Sequence, residues 1–176
     1  MKRAVLLWAP LALFILLATF MIFGLKKPDD QTIPSKLVGT PVPEFALPAA
    51  AAGLPGLSSA ALAGKGPHLV NIFASWCVPC AAEAPQLKAI ADAGVPIVGI
   101  AIRDRRPDLA DFLGRYGNPF RAIGADDQSK VQLALGSSGV PESFVIDSRG
   151  VIQMQKIGPI NPEDVASIIA KVQAAQ

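Results

Sequence analysis

Cysteine, histidine and tyrosine are nearly absent from this chain: its 176 residues include two cysteines, one histidine and one tyrosine. Structural zinc needs four ligands, so two thiols and His68 do not supply a site, and no metal is expected. Charge is scarce as well, at 17% of residues against 51% hydrophobic ones, which excludes a disordered or acidic-tail protein. Acidic residues are missing altogether from the first 27 positions, where Lys2, Arg3, Lys26 and Lys27 lie. With those four set aside, 12 basic residues face 14 acidic ones, a net −2 over residues 28–176. The basicity therefore belongs to the N-terminus, and a nucleic-acid partner, which needs basic residues clustered on the folded part, is not expected. The length suits one compact domain and not two.

Residues 4–25 carry no charge. As a helix, 22 residues reach about 33 Å, enough for a hydrocarbon core of roughly 30 Å. A cleavable signal peptide has a shorter apolar core, about 7–15 residues, and a small-x-small cleavage site that Phe23-Gly24-Leu25-Lys26-Lys27 does not provide. Residues 1–27 are thus read as a retained anchor. The free amino terminus adds positive charge at the front and favours the N-terminus inside and the domain outside. Residues 28–40, with Pro28, Pro34 and two adjacent aspartates, read as a linker, and residues 41–176 as the globular domain.

Within that domain, residues 68–74 and 96–102 form short apolar runs expected to be buried strands. Residues 80–93 and 107–116 have helical spacing, the second with Pro107 at a first helical position. A short helix is expected over 129–135, a hairpin over 143–147 and 151–157, and a C-terminal helix begins at Asn161-Pro162. This alternation predicts an α/β fold, a mixed sheet with helices on both faces.

Both cysteines stand in Ser75-Trp76-Cys77-Val78-Pro79-Cys80, between a predicted strand and a predicted helix. A purely structural disulfide would close a loop of only a few residues, where loop closure stabilises least. Covalent haem attachment needs a histidine at position 81, which is alanine. What remains is a redox dithiol. A helix N-terminus favours thiolate, so Cys77, at the exposed start, is the expected nucleophile and Cys80 the resolving thiol. Pro79 restricts the backbone between them. No His or Lys lies in the intervening pair, which points to a reductant or mild exchanger rather than a strong oxidant.

The segment from Val70 to Cys80, with Trp76 before the first cysteine and Pro85 five residues past the second, resembles the active-site segment of thioredoxin-like proteins. Residues 139–147 resemble the loop and strand that carry the cis-proline of that superfamily. Glu83, the Gly117-Asn118-Pro119-Phe120 segment and Pro141-Glu142-Ser143-Phe144 after Val140 narrow the likeness to the DsbE/CcmG family of thiol:disulfide interchange proteins of cytochrome c maturation, over about residues 37–172. That resemblance implies a thioredoxin-like fold, with Pro141 cis beside the dithiol and the Val140 backbone free to pair with a bound peptide. It also implies Glu142 in an acidic groove and Glu83 as a partly buried base for Cys80, in place of the buried acid that thioredoxin has where Asn71 stands. The function implied is that of a single-pass, monomeric reductant in the bacterial inner membrane with its domain in the periplasm. It would use no cofactor besides its dithiol, keep the Cys-x-x-Cys-His thiols of apocytochrome c or of a haem-delivery component reduced, and be recharged by a membrane dithiol transporter. Two alternatives stand beside it: a less selective extracytoplasmic reductase, and a peptide-binding module whose dithiol is idle.

Overall fold

The structure, a computed structural model, describes residues 8, 10, 13–21 and 37–175. The chain divides into two units, Met1–Ile33 and Pro34–Gln176. In the first, residues 13–21 are helical, and nearly every side chain of that stretch is exposed, Phe14, Leu16 and Phe20 among them. Among the described residues no helix is long and apolar enough to cross a membrane. Much of the anchor expected over 4–25, and most of the linker expected over 28–40, lie outside the described residues.

The second unit carries the elements β1 (Ala46–Leu47), β2 (Leu57–Ser58), α1 (Ser59–Leu62), β3 (His68–Phe73), α2 (Val78–Asp92), β4 (Ile97–Ile102) and α3 (Arg106–Tyr116). They continue as β5 (Ile123–Asp126), α4 (Lys130–Ala134), β6 (Glu142–Ile146), β7 (Ile152–Ile157), a 3₁₀ turn (Pro162–Asp164) and α5 (Val165–Ala174). Five strands form a mixed sheet in the order β5-β4-β3-β6-β7. Strands β5, β4 and β3 run parallel to one another, whereas β6 runs antiparallel to both β3 and β7. The fold is thioredoxin-like α/β.

Register assigns the two faces, because residues directly opposite one another project to the same side and successive residues alternate. Asn71 lies opposite Gly99 and Ser143, and Ser143 opposite Lys156. Phe73, two residues on from Asn71, stacks on Phe120 at 4.7 Å between ring centroids and meets Phe112 of α3 at 5.9 Å. Helices α2 and α3 therefore cover the Asn71 face, and α5 packs against α2. On the other side, Gly124 lies level with Ile100 and Ile72. A Cβ at Gly124 would fall 2.8 Å from that of Leu47, so the β1–β2 hairpin approaches the sheet on this face.

Several elements depart from the expected pattern. Strands β1 and β2 have two residues each, and β5 has four including Gly124, all too short for a periodic signal. Helix α2 starts at Val78 rather than at residue 80, since Pro79 is tolerated in a first turn, where its missing N–H would have no partner. The C-terminal helix is preceded by the 3₁₀ turn, in which Asn161 and Asp164 cap each other. The β6–β7 hairpin forms as expected, its turn closed by the Asp147 carboxylate accepting from the Arg149 and Val151 N–H groups.

Phe73 ties the sheet to α3 and to the Phe120 loop. Phe73→Ala is expected to cost about 3–5 kcal/mol, as for other buried aromatic truncations. Urea unfolding of the oxidised protein measures it, and a loss under about 1 kcal/mol would mean this cluster is not the core described.

Candidate active site

Strand β3 ends three residues before Trp76, and Cys77 is the N-cap of α2. Its sulfur is bonded to that of Cys80 and accepts a hydrogen bond from the Cys80 N–H at 3.2 Å. The helix thus directs one of its unpaired backbone donors at Cys77, the arrangement that favours a thiolate once the disulfide opens. At Cys77 the structure differs from the sequence reading. Cys77 is only 5% exposed, because its sulfur turns back over the helix start; Trp76 (57%) and Val78 (80%) form the outer surface with Pro79.

The peptide bond between Val140 and Pro141 is cis. Glu142 follows it at the start of β6, directly opposite Ile72, so Pro141 comes level with Phe73, close to where β3 releases the chain toward Cys77. Val140 is half-buried and Pro141 buried. Pro85 lies within α2.

Glu83 is one turn beyond Cys80 on α2 and 1% exposed. Its two carboxylate oxygens accept from the Asn71 side-chain amide at 3.0 Å and from the Ile160 N–H at 2.8 Å. Burial is the larger influence and pushes its pKa up to about 7, while the Ile160 N–H, the Asn71 amide and the charge of Lys156 pull against it. Asn71, itself fully buried, also donates to Ser143 Oγ at 3.0 Å. Asn71 and Cys80 line one small internal space beneath α2, together with Phe73 and Phe112. The dithiol, the asparagine and the carboxyl thus belong to one cluster.

Glu142 requires a correction. It does not lie in an acidic groove; it is fully buried. It pairs in register with Ile72, so it points to the sheet face away from Asn71 and α2. There its carboxylate accepts from the Ser138 N–H at 3.0 Å and from the Gln155 side-chain amide. An unpartnered buried carboxylate would be costly, and these two donors satisfy it while bracing the loop that leads to Pro141.

Sequence reading passed over Asp104. Its carboxylate accepts from both the N–H and the hydroxyl of Ser75, and the Arg103 carbonyl accepts from the Trp76 indole at 3.3 Å. The arginines at 103, 105 and 106 are exposed, as a solvated loop requires, but the backbone between them holds the Ser75–Trp76 turn. The available signal was topological: β4 is the parallel neighbour of β3, with Ala101 opposite Phe73, so the residues after each strand emerge side by side. A cleft of about 490 Å³ opens there beside Cys77, lined by Trp76, Val78, Arg103, Asp108, Arg115 and Tyr116 among others. Among the described residues no cluster of three His, Cys, Asp or Glu side chains is placed to bind a metal.

The raised Glu83 pKa links protonation to folding. The folded protein holds this proton up to about pH 7, whereas an unfolded glutamate releases it near 4.5. Its contribution to stability is therefore complete below about pH 4.5 and is lost as pH rises through 7. Wild type should lose about 2–3 kcal/mol relative to Glu83→Gln between pH 4.5 and 8. Parallel stability profiles for the two proteins would refute the assignment.

The comparisons agree with this geometry. A family model described as Redoxin matches residues 37–172. A thiol:disulfide interchange protein DsbE from Allochromatium vinosum is 36% identical over 99% of this chain and 97% of its own length. The DsbE of Pseudomonas fluorescens biotype C is 40% identical over 92% of this chain and 88% of its own. Among solved structures, a thiol:disulfide interchange protein of the thioredoxin family from Chlorobium tepidum is 30% identical and covers 78% of this chain and 96% of its own, with a TM-score of 0.62. The chain is a thiol-disulfide oxidoreductase that belongs to the Redoxin family, within the DsbE/CcmG group of thiol:disulfide interchange proteins.

Proposed function

We propose that this oxidoreductase is a membrane-anchored extracytoplasmic reductant serving c-type cytochrome biogenesis, with Cys77 as nucleophile and Cys80 as resolving thiol. The observation that carries the chemistry is the pairing of Cys77 at the α2 N-terminus with a buried carboxyl one turn past Cys80. The cytochrome assignment rests on the likeness to the DsbE/CcmG family.

The reaction begins with the dithiol form. The Cys77 thiolate, favoured by the helix dipole and the Cys80 N–H, attacks one sulfur of a substrate disulfide and expels the other as a thiolate. Glu83 in its ionised form then takes the proton of Cys80. The Cys80 thiolate attacks Cys77 sulfur, closing the Cys77–Cys80 bond and releasing the second substrate thiolate. Two electrons pass to the substrate, and the product is the disulfide form of this structure. Trp76, Pro79, Val140 and Pro141 would present the substrate chain to Cys77, and Glu142 would act at one remove by bracing the Ser138 loop.

In this reading the target is the Cys-x-x-Cys-His segment of apocytochrome c, or the thiols of a haem-delivery component, and a membrane dithiol transporter returns the electrons. No cofactor besides the dithiol takes part, and the protein acts as a monomer. The inner-membrane location, with the domain in the periplasm, is supported by the charge-free run of residues 4–25 and by residues 13–21, a helix with apolar side chains exposed around it. A helix apolar on all sides suits a core or a bilayer, and nothing in water.

Cys80→Ser blocks resolution and should trap partners on Cys77 in membranes, read by non-reducing gels and mass spectrometry. Apocytochrome c or a haem-delivery component is expected among the main adducts. A broad spread of unrelated exported proteins would instead mark a general reductase. No adduct at all, with Cys77 still alkylated by iodoacetamide, would contradict both and favour the idle binding module.

A further inference from the structure

A closed circuit of contacts surrounds Glu83, and one member of it lies outside everything assigned above. On the sheet, Asn71, Ser143 and Lys156 occupy one row across β3, β6 and β7, on the face that α2 covers. Asn71 joins Ser143 to Glu83. From the far end of the row, the Lys156 ammonium reaches Asp164 at 2.8 Å. Asp164 accepts from the Asn161 N–H at 2.9 Å, and the N–H of the preceding residue, Ile160, donates to Glu83. The segment joining β7 to α5 is therefore fixed at both ends by the charge pair, and its middle delivers a backbone donor to the buried carboxyl.

A lysine on an edge strand ordinarily serves to discourage edge-to-edge pairing, with its ammonium in water. Lys156 does otherwise: its side chain is only 28% exposed and is turned toward Asp164, which is itself 23% exposed. Burial works against ionisation of Asp164, but the hydrogen bonds from Lys156 and Asn161 outweigh it and hold its carboxyl below the ordinary carboxylate range. Asp164 thus keeps the negative charge that holds the Lys156 side chain in place.

We propose that Lys156 is a positioning residue for Glu83, anchoring through Asp164 the segment that carries the Ile160 N–H and supplying the cation that favours the ionised carboxyl. The proposal rests on the reading of Glu83 as proton acceptor for Cys80. The other groups around Glu83 leave this task to Lys156. Asn71 of β3, Ser143 of β6 and the Ile160 N–H are uncharged, and Cys80 lies on the same helix. On α2 the charged pair Lys88–Asp92 is exposed, with its charges turned to one another in solvent about one and a half and two and a half turns away. The charges of α3, Arg106, Asp108, Asp111 and Arg115, are exposed, three of them along the cleft beside Cys77, and Lys171 of α5 is exposed in its last turn. Loss of Lys156 removes the cation and releases the segment, and both changes act in one direction: they disfavour the carboxylate.

The test is a titration of the side-chain carboxyl carbons in the oxidised full-length chain, labelled at its four glutamates and held in detergent micelles, with Glu83→Gln assigning the resonance. Wild-type Glu83 should titrate at about 7. Lys156→Met should raise the midpoint above its wild-type position, since both the cation and the anchored Ile160 donor favour the ionised carboxyl. Lys156→Arg, which keeps charge and bridge, should restore it, and Lys156→Gln serves if the methionine variant does not fold. A merely structural lysine would lower the melting temperature and leave the midpoint in place. An unmoved or lowered midpoint in a folded Lys156→Met protein overturns the proposal alone. Wild-type Glu83 titrating near 4.5 overturns the proton-acceptor reading, and the proposal with it.

Discussion

A carboxyl group held out of water beneath the active-site helix is the constraint on which this site depends. Glu83 could be buried only because the sheet and the β7–α5 segment each supply a donor to it, Asn71 from below and the Ile160 N–H from the side. Two hydrogen bonds lower the cost of the charge without cancelling burial, which leaves the group poised to ionise near neutrality. A carboxylate with more donors would hold its charge at all physiological pH values and be a poor proton acceptor. A group with fewer would stay neutral.

The rest of the domain serves to bring this carboxyl and the dithiol together. Parallel β3 and β4 set the Ser75–Trp76 turn against Asp104, and the turn in turn sets Cys77 at the head of α2. Antiparallel β6 returns beside β3 so that the cis-proline loop arrives at the same end of the sheet. The two acids that flank the active-site motifs then divide by face. Glu83 works on the α2 side; Glu142, one position before Ser143, falls on the opposite side and stabilises the loop from behind. The resulting division is one of chemistry and scaffolding.

Much of this was legible in the sequence, for physical reasons that also mark where legibility stops. The Trp76–Cys80 segment is bounded by an apolar strand and a stretch with Leu87 and Ile90 at helical spacing, so the dithiol's place at a helix start followed from local pattern. The hairpin at Asp147–Gly150 was readable because its turn chemistry is local. Glu142 was misplaced because a one-residue step along a strand reverses the face, and only the register against Ile72 fixes which face it takes. The Ile160–Glu83 hydrogen bond joins residues 77 apart, and the Lys156–Asp164 pair depends on where β7 ends; no periodicity encodes either. Strands β1, β2 and β5 are placed by packing, at Gly124 by the close approach of Leu47.

The central claim is that Glu83 takes the proton of Cys80 when the mixed disulfide resolves. Stopped-flow measurement of that second exchange step across pH 5–8.5, in wild type and in Glu83→Gln, tests it directly. The account predicts a wild-type rate that rises with pH to half its plateau at about 7, and a Glu83→Gln rate about 10²-fold slower at neutrality without that midpoint. Superimposable profiles for the two proteins would contradict it.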